Sequence, residues 1–267
     1  MWLRDASTQV WNYVRFAKEP AIGAMIRSVL ERQFRYICID PYANAFNETA
    51  NGHGYVKNVP LKDPLVWERK YEPDSPAYPL CRFSHESDRY NDMLHNDGMG
   101  EPVGNTGMSW QGFRPSDDAV DFGYNIPGNI FAAVALDYAA ELLQGCAPTP
   151  AARAEALRGE ILDGVRQYGV VKHEKYGKIF AYETDGLGHY TLMDDANTPN
   201  LLSLPYIGFA DPAFAEIYQN TRRFVLSKDN PYYYEGKCGK GLGSPHEYTG
   251  YIWRLGLSMQ GLTSTDP

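Results

Sequence analysis

The stretch TPAARAEALRGEILDGVRQY, residues 149–168, decides the fold class. It opens on a capping threonine and a proline suited to the first turn, then repeats apolar residues at Leu157, Ile161, Val165 and Tyr168. That spacing is the period of a helix with one buried face, and Thr149 is expected as its N-cap. Residues 22–34 show the same period: Ile22, Met25, Ile26, Val29, Leu30 and Phe34 share a stripe, with Pro20 in the first turn. Residues 129–143 repeat it with Ile130, Val134, Tyr138 and Leu142, and the end of the chain with Ile252, Leu255, Met259 and Leu262. Alternation of apolar and polar residues is scarce, although YGKIFAYE at 176–183 suits a short hairpin. The expectation is an all-α protein of helical hairpins.

Between the helices lie long segments rich in Gly, Asn, Asp and Pro: 41–66, 91–118, 182–200 and 227–250. Loops of this length inside a compact domain are usually functional. No fixed-period repeat or low-complexity run interrupts the chain, whose 267 residues suffice for one large domain. A net charge of -8 argues against a nucleic-acid or anionic-membrane partner. No apolar run approaches the roughly 20 residues that cross a bilayer, so no membrane segment is expected. MWLRDASTQV lacks the charged-then-apolar pattern of a signal peptide and leaves localisation open. Cys38, Cys81, Cys146 and Cys238 are far apart and read as buried packing thiols.

Several motifs fail on spacing. The His-Glu pairs at His85, His173 and His246 lack the second histidine of a zinc helix. GKCGKGLGS at 236–244 has Leu242 where a phosphate loop needs lysine, and GLG at 186–188 lacks the third glycine of a dinucleotide loop. There is no Gly-x-Ser-x-Gly elbow. No metal and no cofactor are expected.

Carboxylates beside aromatics remain. In SWQGFRPSDDAVDFGY, residues 109–124, Asp117 and Asp118 sit among Trp110, Phe113, Phe122 and Tyr124. Asp5, Asp40, Glu68, Glu183, Asp185, Asp194 and Asp195 also lie beside aromatics, Asn or Arg. A single such acid is most often a cap or turn former. So many together, with 20 Tyr and 5 Trp, suit a protein that holds sugar rings and cleaves between them. Glycoside hydrolysis needs one acid for the leaving oxygen and a second carboxylate for water.

MWLRDASTQVW, DPYANAFN, VWERKYE, GMSWQGFRPSDDA, LMDDANTPNLLSLPYIG, NTRRFVLSKDNPYYYEG and GLGSPHEYTGYIW together resemble glycoside hydrolase family 125. The motifs match in order over nearly the whole chain. The resemblance implies an (α/α)6 toroid, here incomplete. It implies a metal-independent, inverting exo-α-1,6-mannosidase acting on terminal mannose of N-glycan-type oligosaccharides. The acid would be an aspartate of FRPSDDA, with Asp117 favoured over Asp118. A carboxyl buried among aromatics beside a second carboxylate keeps its proton toward neutrality, whereas Arg114 pulls the other way. By similarity the sugar site would draw on Arg4, Asp5, Arg114, Asp194, Asp195, Asn197 and His246, with Trp2, Trp110 and Tyr234 stacking on rings. The opposing expectation is that Arg4-Asp5 and Arg222-Arg223 are structural ion pairs.

Three departures from the family stand out. Met1 already belongs to the first motif, and only CRFSHESDRYND, residues 81–92, precedes the next one where the family has a helical hairpin. The family's base, a glutamate beyond the segment matching SMQGLTS, has no counterpart before Pro267. His85-Glu86-Ser87 lies upstream of Asp117 and reads as an accident, and Asp266 as a poor substitute. The chain is therefore expected to be a single catalytic domain, 1–267, lacking its N-terminal part, a hairpin near 81–90 and its C-terminal part. As it stands, it is expected not to hydrolyse α-1,6-mannosides usefully. The alternative is a noncatalytic mannose-binding remnant.

Overall fold

The computed structural model describes residues 1–41, 43–54, 63–68 and 93–265. Expectations for Cys81, for His85-Glu86-Ser87, for the break near 81–90 and for Asp266 fall outside these residues. The helices are α1 (Leu3–Trp11), α2 (Pro20–Ile39), α3 (His95–Gly98), α4 (Ile126–Leu143), α5 (Pro148–Tyr168), α6 (Ala215–Val225) and α7 (Arg254–Leu262). Short strands join these helices. These are β1 (Ala45–Phe46), β2 (Val66–Glu68), β3 (Tyr124–Asn125), β4 (Val170–His173), β5 (Gly177–Phe180), β6 (Glu183–Thr184), β7 (Tyr190–Thr191), β8 (Tyr233–Gly236) and β9 (Gly239–Leu242). They form four small antiparallel sheets, β1-β2, β3-β6-β7, β4-β5 and β8-β9. The expected hairpin at 176–183 is divided: Gly177–Phe180 pairs back onto Val170–His173, and Glu183 pairs with Asn125 and Thr191.

The stretch 149–168 is helical, but α5 starts one residue before the expected cap. Pro148 occupies the first turn with Ala147 as an unbonded N-cap, and Thr149 lies inside the helix. A proline at the first helical position loses no hydrogen bond, which explains the earlier start. Ile161, Leu162 and Val165 are buried, whereas Leu157 is exposed. Gly164 lies where a Cβ would come within 2.3 Å of the Thr106 carbonyl oxygen. This absence of a side chain lets α5 lie against the segment that leads into the acidic loop.

α4 packs beside α5 as a helical hairpin, with Ile126, Ile130 and Ala133 in the same core cluster as Ile161 and Val165. The 18 residues of α4 have the length and mean hydropathy, 1.3, of a membrane-crossing helix, a test that the core helix of a globular domain also passes. Its buried residues Ile126, Ile130, Ala133 and Ala140 spend that apolarity on the protein's own interior. On the outer side, Phe131, Tyr138 and Leu142 are exposed. The expected α2 stripe is also largely unburied: Met25, Leu30 and Phe34 face solvent, and Gln33 and Tyr36 make the inward contacts. Gln33 donates from Nε2 to the Leu3 carbonyl at 2.7 Å, and Tyr36 donates to the Asn47 carbonyl at 3.0 Å. In α7, Met259 is buried while Leu255 and Leu262 are exposed. The cysteine expectation fails as well. Cys38, Cys146 and Cys238 are exposed, on the outer side of α2, after α4 and at the tip of the β8-β9 hairpin.

Among the described residues, three apolar clusters form the core. The largest gathers Tyr182, Phe180, Phe214, Phe224, Leu201 and Leu202 with the α4-α5 pair. A second joins Leu3 and Tyr36 to Ala43, Phe46 and Val66, with the Tyr36 and Phe46 rings stacked at 4.5 Å. The third, Leu94, Phe113, Ala119 and Val120, underlies the acidic loop.

Candidate active site

The loop of residues 109–124 is a short hairpin anchored at both ends. Asn129 of α4 accepts from the Ser109 amide at 2.7 Å and donates to the Ser109 carbonyl at 3.0 Å. The Gln111 amide donates to the Gly123 carbonyl at 2.9 Å, and Phe113 bridges Ala119. Arg114 then donates to the Asp118 carbonyl at 2.7 Å, and Asp117 donates back to the Arg114 carbonyl at 2.9 Å. This is a three-residue hairpin loop, Pro115-Ser116-Asp117, whose last position is left-handed with φ of 67°. Proline pre-sets the turn, and aspartate tolerates the left-handed region better than most residues. The two acids therefore have different surroundings. Asp117 is half-buried at the tip, and Asp118 is buried on the returning strand. The burial expected of the acid at 117 is found at 118.

Asp118 is held at both oxygens. Ser116 donates its hydroxyl to Oδ2 at 2.7 Å, and Nδ1 of His246 lies 3.1 Å from Oδ1. The His246 amide donates to Oγ of Ser244 at 3.1 Å. The same Oγ accepts from Nδ2 of Asn197 at 3.2 Å, and Nδ2 also donates to Oδ1 of Asp195 at 2.8 Å. A continuous polar chain thus runs from Asp118 through His246, Ser244 and Asn197 to Asp195. Ring packing supports it: a Cβ on Gly243 would lie 2.5 Å from the Tyr234 ring. At the inner end, Oδ2 of Asp195 and the Tyr182 hydroxyl are buried with no hydrogen-bond partner among the described residues. Burial raises the Asp195 pKa against the pull of the Asn197 amide and side chain, and raises that of Tyr182 well above its ordinary value.

Arg114 sits beneath the turn as a brace. Its Nε donates to Oε1 of Glu183 at 2.6 Å and its Nη2 to Oε2 at 2.9 Å, a bidentate pair, while Nη2 also meets Asp121 at 2.9 Å. The Asp121 amide adds a bond to Oε2 at 3.0 Å. Burial would lower the Arg114 pKa, but the Glu183 carboxylate outweighs it and holds the guanidinium charged, well above its ordinary value. Burial raises Glu183, and the guanidinium opposes that rise. The structure thus spends Arg114 on Glu183, a partner 69 positions away that the sequence reading did not pair with it.

Other expected residues also serve structure. Asp194 is fully buried and accepts from the Leu201 and Leu202 amides at 2.8 and 3.0 Å; burial raises its pKa well above the usual range. Asp185 accepts from the Leu187 and His189 amides and lies 2.6 Å from Nδ1 of His189. Arg222 donates to Oγ1 of Thr263 and to the Gln260 carbonyl, and Arg223 to Oδ1 of Asn220, so this pair ties α6 to α7 and to itself. Trp110 packs between the first and third clusters. Arg4 is half-buried and Asp5 exposed on α1, whose Leu3 belongs to the second cluster. Trp2 donates to Oε2 of Glu68 at 3.3 Å. Ser116 and Ser244, missed in the sequence, were legible only as polar residues two positions before Asp118 and His246. Among the described residues, no group of His, Cys, Asp and Glu is arranged to hold a metal ion.

Comparison with known proteins gives a consistent answer. The family described as metal-independent alpha-mannosidase (GH125) matches residues 1–81 and 79–267. The meiotically up-regulated gene 157 protein of Schizosaccharomyces pombe is 32% identical over 330 aligned residues, covering 99% of this chain. The chain spans 64% of that relative's length. A solved metal-independent α-mannosidase from Streptococcus pneumoniae, in a non-productive complex with α-1,6-mannobiose, superposes with a TM-score of 0.90. The two share 36% identity over 100% of this chain and 73% of that one.

Proposed function

Because the chain belongs to glycoside hydrolase family 125, the metal-independent α-mannosidases, we propose that its site is that of an enzyme releasing terminal α-1,6-linked mannose from oligosaccharides with inversion. Asp117 is the proposed general acid. The observation that carries this is the division of labour within the acidic pair. Both oxygens of Asp118 are committed, to Ser116 and His246, whereas the half-buried Asp117 carboxyl has no partner among the described residues. A general acid must reach the leaving oxygen, and the less buried carboxyl suits that role. The bond from the anomeric carbon to the glycosidic oxygen breaks, and the acid's proton goes to that oxygen. Water adds to the opposite face and loses its proton to a second carboxylate. Glu183, Asp185 and Asp194 are poor choices for that second group, each being engaged by hydrogen bonds within the protein. Asn197, Asp195 and His246 are proposed to hold the sugar's hydroxyls through their shared network.

The likeness to the solved α-mannosidase supports an (α/α)6 toroid, and α4-α5 is one of its hairpins.

The test is incubation with α-1,6-mannobiose, with and without chelator, following mannose release and its anomer by NMR. In any form of the protein that releases mannose, Asp117→Asn is expected to slow release about 10²- to 10⁴-fold with sugar affinity unchanged. An active Asp117→Asn beside a dead Asp118→Asn moves the acid to Asp118, and activity in both moves it elsewhere. Loss on chelation, restored by calcium or zinc, overturns the metal-independent assignment. The engagement of Glu183, Asp185 and Asp194 favours one other reading, a noncatalytic mannose-binding protein. It predicts saturable binding of the disaccharide with no release.

A further inference from the structure

Ser244 is only 1% exposed, yet it stands between Asp195, Asn197 and His246. The backbone on its N-terminal side puts it there. The Ala196 amide donates to the Gly243 carbonyl at 3.0 Å, and the Gly243 amide to the Tyr232 carbonyl at 2.8 Å. Ser244 is thereby laid against the turn in which the Asn197 amide donates to Oδ1 of Asp195 at 3.0 Å.

The hydroxyl is used to capacity. Its oxygen accepts from the His246 amide at 3.1 Å and from Nδ2 of Asn197 at 3.2 Å. A serine hydroxyl has two lone pairs and one proton, so only the proton is left. That proton goes to the Asp195 carboxylate, whose pKa burial raises and the Ser244 hydroxyl helps to hold down.

The same bonds decide which way the Asn197 amide faces. Nδ2 has two protons, one on Oδ1 of Asp195 at 2.8 Å and one on Ser244. A carboxylate oxygen only accepts, so turning the amide over would set oxygen against oxygen. Oδ1 of Asn197 is left with no hydrogen bond among the described residues, on a half-buried side chain. His246 hangs from the amide that Ser244 holds, and its ring reaches Asp118 through Nδ1.

We propose that Ser244 is a positioning residue of the site: without touching sugar, it locks Asn197 so that Oδ1 is offered as an acceptor, and it fixes His246 beside it. Asn197 then takes a proton from a sugar hydroxyl and gives none. The inference rests on the reading that Asn197 and His246 hold the sugar's hydroxyls.

The experiment measures α-1,6-mannobiose binding to the whole chain by isothermal titration calorimetry, with Tm followed in parallel. Ser244→Ala is expected to weaken binding about 3- to 10-fold, the worth of one or two hydrogen bonds. Ser244→Cys, which fills the position with a weak acceptor, is expected to act in the same direction. In an Asn197→Ala background the further loss on Ser244→Ala should shrink to within about 2-fold, because the residue it positions is gone. A role confined to stability would lower Tm and leave this coupling at zero. Wild-type affinity in a folded Ser244→Ala or Ser244→Cys chain overturns the positioning role and leaves the mannosidase reading standing. An undiminished loss in the Asn197→Ala background overturns it as well. A wild-type chain that does not bind the disaccharide overturns the underlying reading and the inference with it.

Discussion

Asp118 and His246, 128 residues apart in the chain, meet with Oδ1 and Nδ1 at a separation of 3.1 Å. The contact joins the acidic turn to the loop after β9, so each segment depends on the other for its position. Ser116 and Ser244 complete the arrangement by bonding the carboxylate and the histidine amide.

Asp118 and His246 are expected to be energetically coupled. In a double-mutant cycle of Asp118→Asn and His246→Ala, urea unfolding should give a coupling energy of about 0.5–3 kcal/mol. Additive effects would mean that the observed contact carries no energy.

Arg114 and Glu183 form a pair whose halves are worse apart than absent together. Arg114→Met leaves a buried carboxylate without its cation and should cost about 3–5 kcal/mol. The double variant Arg114→Met/Glu183→Leu should recover part of that loss, because neither charge then needs solvation. Unfolding in urea checks both, and a double variant less stable than Arg114→Met would contradict the account.

The Asp185 clasp has a pH signature. Burial would raise the Asp185 pKa, but the Leu187 and His189 amides and the His189 ring hold it below its ordinary value. A depressed folded pKa contributes stability above the unfolded value, about 3.9, that is lost as pH falls through the folded one. Asp185→Asn should therefore lower Tm at pH 6, and its deficit should shrink toward pH 3. A deficit that stays constant over that range would show that the charge is not what stabilises the turn.

Gly164→Ala tests the approach of α5 to residues 106–108. A Cβ there would lie 2.3 Å from the Thr106 carbonyl oxygen and 2.8 Å from Cγ of Met108. Overpacking of this kind should cost about 1–3 kcal/mol despite alanine's better helix propensity. A variant as stable as the wild type would show that the segment moves away freely.

The helices over 22–34, 129–143, 149–168 and 254–262 were legible because a 3.6-residue period is a local property of the chain. The family was legible for a related reason, since its long motifs survive in order. Which side of each helix would be covered was not legible. The period in α2 marks an apolar stripe, yet Phe34 is exposed and Gln33 buried, because burial depends on what the rest of the chain sets against it. Apart from the hairpin near 176–183, the short strands also escaped notice, since a pair such as Glu183 with Asn125 depends on a partner far along the chain.

The same division runs through the site. The sequence by itself determined that the acidic pair lies at a tight turn, since Arg-Pro-Ser-Asp is turn chemistry within four neighbouring residues. It also placed His246, Asp195 and Asn197 in polar loops between helices. Only the tertiary structure decided which of these charges meet. It committed Asp118 to His246, withdrew Arg114 into a pair with Glu183, and turned Asp194 inward to cap the amides of Leu201 and Leu202. An ionisable side chain's task is set by its nearest partners and its distance from water. For these residues, the partners come from segments that only the folded chain brings together.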